Sequence, residues 1–167
     1  MKALITAALI AVAAPAGADE FEASWLFVQT AKTAEISDDT LTMPYEREIF
    51  AFTDRPHRLH AHFTAHEFEW FWGDVGDSFA DTPPNAVLTW PDGSEMKEAE
   101  LILTSADVDD MGRSISYTVV HEAGDGLPDG AVNVSLFIDG MLVDALANTD
   151  SVQGSAQDAV LEWLQNQ

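Results

Sequence analysis

A two-residue rhythm of apolar and polar side chains recurs through this chain, and it restricts the fold more than any other feature. In 132–138, Val132, Val134, Leu136 and Ile138 alternate with Asn133, Ser135 and Phe137. In 114–119, Ile115, Tyr117 and Val119 alternate with Ser114, Ser116 and Thr118; in 99–104, Ala99, Leu101 and Leu103 alternate with Glu100, Ile102 and Thr104. Successive side chains of a strand leave opposite faces, so this pattern builds half-buried strands. Further strands are expected over 25–30, 41–43, 47–52, 59–63 and 87–90. The breaks carry turn chemistry: Pro91-Asp92-Gly93, Asp109-Asp110-Met111-Gly112, and the glycine-rich stretch from Gly124 to Gly130.

Two helices interrupt the strands. Thr64 with Glu67 three residues on is a capping box, opening a short aromatic helix toward Trp72 that stops at Gly73. Over 155–165, Ala156, Ala159, Val160, Trp163 and Leu164 recur at helical spacing. The expected fold is mainly β, an antiparallel β-sandwich or partly closed barrel, with one short aromatic helix and a C-terminal helix.

The first eighteen residues, MKALITAALIAVAAPAGA, read as a secretory signal. Lys2 gives a positive start, Ala3 to Ala14 an apolar stretch, and Ala16-Gly17-Ala18 a small-residue cleavage site. Residues 19–167 are then one β-rich domain, large enough for a proper core. The expected address is the periplasm, with release outside the cell as the alternative. No cysteine occurs, so packing must hold the fold without disulfides.

Charge excludes further classes. The formal net charge is −22, and loss of Lys2 with the leader leaves six basic against 29 acidic residues, or −23. Such a chain repels phosphate backbones and anionic lipid, so neither nucleic acid nor membrane insertion is expected.

The most distinctive stretch is TDRPHRLHAHFTAHEFEWFWG, from Thr53, which holds four of the five histidines together with Arg55 and Arg58. On a strand over 59–63, His60 and His62 share one face, while Leu59, Ala61 and Phe63 face the core. Two imidazoles at i and i+2 begin a site for zinc or another transition metal. His66 could fold back as a third ligand, and Glu67 or His57 could complete the shell. The competing reading leaves His57, His60 and His66 on a solvated face. The spacing from His60 and His62 to Glu67 also matches the core of the first cupin metal motif. That pattern wants a glycine where Asp54 stands and a later histidine where Asn133 stands. Arg55 and Arg58 bracket Pro56, and a guanidinium fork suits either Asp54 or an external carboxylate or phosphate.

Other chemistry is sparse. Asp107 to Gly112 imitates the start of a calcium loop but carries Met111 and Thr118 where ligands belong, so a hairpin turn is expected. No nucleophile elbow, P-loop or dinucleotide fingerprint occurs. No pair of carboxylates can be assigned acid–base roles from spacing. The sequence therefore names no catalytic residue and leaves enzyme status open, with a binding protein favoured.

Four stretches carry a resemblance: WLFVQTA from Trp25, FTDRPHR from Phe52, DSFADTPPNAVLTW from Asp77 and VSLFIDG from Val134. They resemble a family of small secreted bacterial proteins without an assigned activity. The resemblance implies a shared β-rich scaffold and export, with Asp54, Arg55, Arg58 and His62 matching the family pattern. It supplies no partners for His57, His60 or His66.

Pro83 and Pro84 stiffen the entry to the strand over 87–90. If that entry meets the Asp54-Arg55-Pro56 turn, Arg55, Arg58, His62 and Asn85 line one polar pocket over an apolar floor. The sequence-level reading is an exported binding or accessory protein without a cofactor. Its ligand site is Asp54, Arg55, Arg58, His62 and Asn85, engaging an envelope protein or a small anionic ligand. The alternative is a transition-metal protein or metalloenzyme using His60, His62, His66 and Glu67.

Overall fold

The computed structural model describes residues 24–53, 55, 58–73 and 79–140. The expected leader and the expected helix over 155–165 lie outside the described residues. Among the described residues, eight strands follow in order: β1 (Trp25–Ser37), β2 (Thr40–Pro44), β3 (Ile49–Thr53), β4 (His60–Phe63), β5 (Asn85–Asp92), β6 (Glu95–Val108), β7 (Ser114–Gly124) and β8 (Gly130–Gly140). Between β4 and β5 lie the helix α1 (Ala65–Glu69) and a 3₁₀ turn over Trp70–Trp72.

All pairings are antiparallel, in the order β2-β7-β6-β5-β8-β1-β3-β4, and β2 also pairs with β1. That last contact closes six strands into a barrel, from which β3 and β4 extend as an outer ribbon. Closure depends on β1, which is long enough to have two partners on one side. Trp25 to Val28 pair with β3, whereas Glu35 to Ser37 pair with β2. In the gap between them, Glu46 accepts the Lys32 backbone N–H at 3.1 Å and meets the Lys32 ammonium at 3.2 Å.

The turns follow from residue chemistry. Gly112 N–H donates to the Asp109 carbonyl at 2.8 Å, and Arg113 N–H to the Asp109 side chain at 2.6 Å, which closes the β6–β7 hairpin. The would-be calcium loop is therefore a turn. Gly124 ends β7 at φ +90°, with Glu98 O only 2.5 Å from where a Cβ would stand.

The predicted alternation is realised at Ala99, Leu101, Leu103, Ile115, Tyr117, Val119, Val134, Leu136 and Ile138, all buried. Val132 departs from it and is 55% exposed. The cause is Asn133, at φ 53°, since one left-handed residue resets which face the next side chain takes. Asparagine tolerates that conformation better than most residues.

The barrel core is capped by aromatic rings. Phe27 lies 5.3–6.0 Å, centroid to centroid, from Phe63, Phe68, Phe71 and Phe79. Fully burying one such ring is worth about 2–3 kcal/mol. Thr64 caps α1 as its sequence predicts: its hydroxyl accepts Glu67 N–H, and Glu67 reaches back to Thr64 N–H at 2.8 Å. Phe68 and Phe71 face inward and Trp72 is half-buried, but Trp70 is 47% exposed. The helix thus ends at Glu69, short of Trp72, and together α1 and the 3₁₀ turn aim Phe68, Phe71 and Trp72 at the interior while Trp70 stays outside. Deeper in, the Tyr117 hydroxyl donates to Gln29 Oε1 at 2.6 Å. Burial pushes the ionisation of that phenol well above its ordinary range.

Candidate functional site

The β3–β4 ribbon has an inner and an outer face. Ile49, Ala51, Ala61 and Phe63 are buried, whereas Phe50, His60 and His62 are exposed and Phe52 half-buried. The register pairs Phe50 with His62 and Phe52 with His60. Thr53 N–H donates to Leu59 O at 3.0 Å and Leu59 N–H donates to the Thr53 hydroxyl at 2.9 Å, so these two residues turn their polar groups toward each other across the ribbon. By antiparallel alternation the two aromatic–imidazole pairs are the non-bonded, closer kind. The Phe50 centroid accordingly lies 5.1 Å from His62, 6.4 Å from His60, and 5.6 Å from Phe52, on which it stacks.

This patch continues across the barrel. Cross-strand partners share a face, so His62, Phe50, Val28, Phe137, Val87 and Glu100 form one outward row. His60, Phe52, Leu26, Asp139, Asn85 and Ile102 form the next. Phe50 is 37% and Phe137 42% exposed, large apolar rings turned to water on a regular sheet. Contiguous exposed apolar surface of this kind marks an interaction face.

Each residue named from sequence has a definite place in or outside this picture. Asp54, Pro56 and His57 lie outside the described residues. Arg55 and Arg58 are exposed in the β3–β4 connection, with Arg58 at φ 55°. His62 Nδ1 is 3.7 Å from Glu48 Oε2. Asn85 opens β5 on the same outer face and at the same end of the sheet. It is nevertheless four strand steps from β4, about 19 Å along the sheet. The single pocket joining Arg55, Arg58, His62 and Asn85 is therefore not formed, because β1 and β8 run between its two halves.

The four-residue metal set is divided as well. His60 and His62 do share a face. His66 belongs to α1, its Nδ1 3.5 Å from Glu69 Oε2 and its Nε2 3.3 Å from where a Cβ on Gly112 would stand. Glu67 is engaged in the capping box. Among the described residues, no three histidine, aspartate or glutamate side chains gather to hold an ion.

Sequence reasoning missed Phe50, Phe52 and Glu48. The signal was present in Ile49-Phe50-Ala51-Phe52, an apolar run on both faces of a strand, where a half-buried strand would show polar residues outside. No family model matches the chain, and no curated protein or solved structure matches it.

Proposed function

We propose that this chain is an exported binding or accessory module that engages an envelope partner protein through the outer face and turn of its β3–β4 ribbon. The observation that supports this reading is the exposed Phe50, stacked on Phe52 and flanked by His60 and His62. A ring left in water on a strand gains free energy only when another surface covers it. Arg55 and Arg58 stand at the turn of the same ribbon, so the partner surface should carry carboxylates beside its apolar side chains. The same segment holds Asp54, Arg55, Arg58 and His62, the ligand residues expected from the sequence. No helix of the described residues is long and apolar enough to cross a membrane.

The test is site-specific photo-crosslinking in the producing cell, with the probe at Phe50 or at Met96, which is 67% exposed in the β5–β6 hairpin. A discrete adduct from Phe50, absent from Met96 and reduced by Arg55→Ala/Arg58→Ala, is the expected result. Equal adducts from both positions contradict the reading. A small anionic ligand would instead give no adduct but a thermal shift abolished by the same double variant. Export is checked by sequencing the N-terminus of the periplasmic protein, which should begin at Asp19.

A further inference from the structure

His60 and His62 leave one face of β4, and no strand pairs with the other side of β4 among the described residues. Their Cβ atoms stand about 7 Å apart, two residues along a strand. That spacing lets both imidazoles reach one borderline dication, yet two ligands are only half of the four such an ion takes. Nothing described in the same chain supplies the rest, since His66 and Glu67 are engaged elsewhere.

The strand edge itself supplies it. The Thr53–Leu59 bond sets the ladder so that the main-chain N–H and C=O of His60 and His62 point away from β3. A second β4, antiparallel about a two-fold axis normal to the sheet, pairs with those groups and presents its own histidines on the same face. Facing Cβ atoms are then about 5 Å apart. From this we infer that the chain takes a divalent transition ion of the zinc, copper or nickel class between two copies, with His60 and His62 of each copy as ligands.

Two further observations support the site. Glu48 sits 3.7 Å from His62 Nδ1, which leaves Nε2 for the ion and provides the carboxylate that commonly orients a metal-bound imidazole. Charge selects both the occupant and the place. A net charge of −22 draws in dications and opposes contact between copies over most of the surface. Around the ribbon Arg47, Arg55 and Arg58 balance Glu46, Glu48 and Asp54, so the repulsion between copies is weaker there than over the rest of the surface. The ion then offsets the remaining repulsion. The inference stands on imidazole spacing and strand pairing, independently of the partner-protein reading.

The experiment titrates Zn²⁺, Ni²⁺ or Cu²⁺ into the full chain, free of any polyhistidine tag, while molar mass is followed by light scattering. The mass should double, saturate at half an equivalent of ion per chain, and return to the monomer value with EDTA. His60→Ala and His62→Ala, both at exposed positions, should each weaken ion binding at least tenfold and leave a folded monomer by circular dichroism. His66→Ala should change nothing, and Glu48→Gln should weaken binding about tenfold. One ion per chain without a change in mass overturns the proposal. So does ion-driven doubling that survives loss of both histidines, or the absence of ion binding.

Discussion

Replacing Tyr117 by Phe tests how the barrel interior is held. The Tyr117 hydroxyl and Gln29 Oε1 meet at 2.6 Å, with Tyr117 0% and Gln29 1% exposed, and Gln29 Nε2 has no partner among the described residues. Tyr117→Phe orphans the Gln29 oxygen, at a cost of about 2 kcal/mol. With a urea m-value of about 2 kcal/mol/M, the unfolding midpoint should fall by about 1 M. Gln29→Met orphans the phenol instead but removes the unpaired amide nitrogen. These two effects are each about 1–3 kcal/mol and opposed, so this variant should lie near the parent. The double variant leaves neither group stranded and should be at least as stable as the parent. The coupling would then be about 2–3 kcal/mol in favour of the double variant over the sum of the singles. Urea unfolding of the four proteins decides it. Simple additivity, or a Tyr117→Phe variant as stable as the parent, would refute the account of this pair.

Three other perturbations follow from the geometry. Gly140→Ala would put its new methyl 2.7 Å from Phe79 Cζ and 2.9 Å from Phe27 Cε2, so about 1–3 kcal/mol should be lost in thermal or urea unfolding. Thr64→Ala removes the hydroxyl half of the capping box and should cost about 1 kcal/mol, read the same way. Asp109 has its carboxyl held below the usual range, chiefly by the Arg113 N–H. Its contribution is therefore present above about pH 4, the unfolded value, and lost as pH falls through the lower folded one. In acid titrations of stability, the gap between the parent and Asp109→Ala should be full at neutral pH and narrow below about pH 4.

Local features of the fold were legible in the sequence because they are written in local spacing. Alternation located the strands and the buried sets around Leu101, Tyr117 and Leu136. Thr64 and Glu67 announced the cap. Where local rules failed, a single residue or a distant partner was responsible. Asn133 turned Val132 outward through one backbone angle that no periodicity encodes. The sheet that β2 and β1 close into a barrel also needs β1 to meet β8, as in Trp25 opposite Gly140, and pairing over such a separation leaves no mark in either strand. The same intercalation separates His62 from Asn85, because proximity in sequence does not fix adjacency in a sheet. Spacing suits Glu67 both to a cap and to a metal shell, and the cap prevails because its partner lies three residues away.

Amide hydrogen exchange on the metal-free chain tests most directly whether the barrel is the stable body and β4 its open edge. The Leu136 and Ile138 amides, in a strand paired on both sides, should be among the slowest to exchange. Ala61 and Phe63 should be intermediate, and His60 and His62 should exchange nearly as fast as open chain. Protection at His60 and His62 equal to that at Leu136 would contradict the account, because the edge assigned to binding would already be covered.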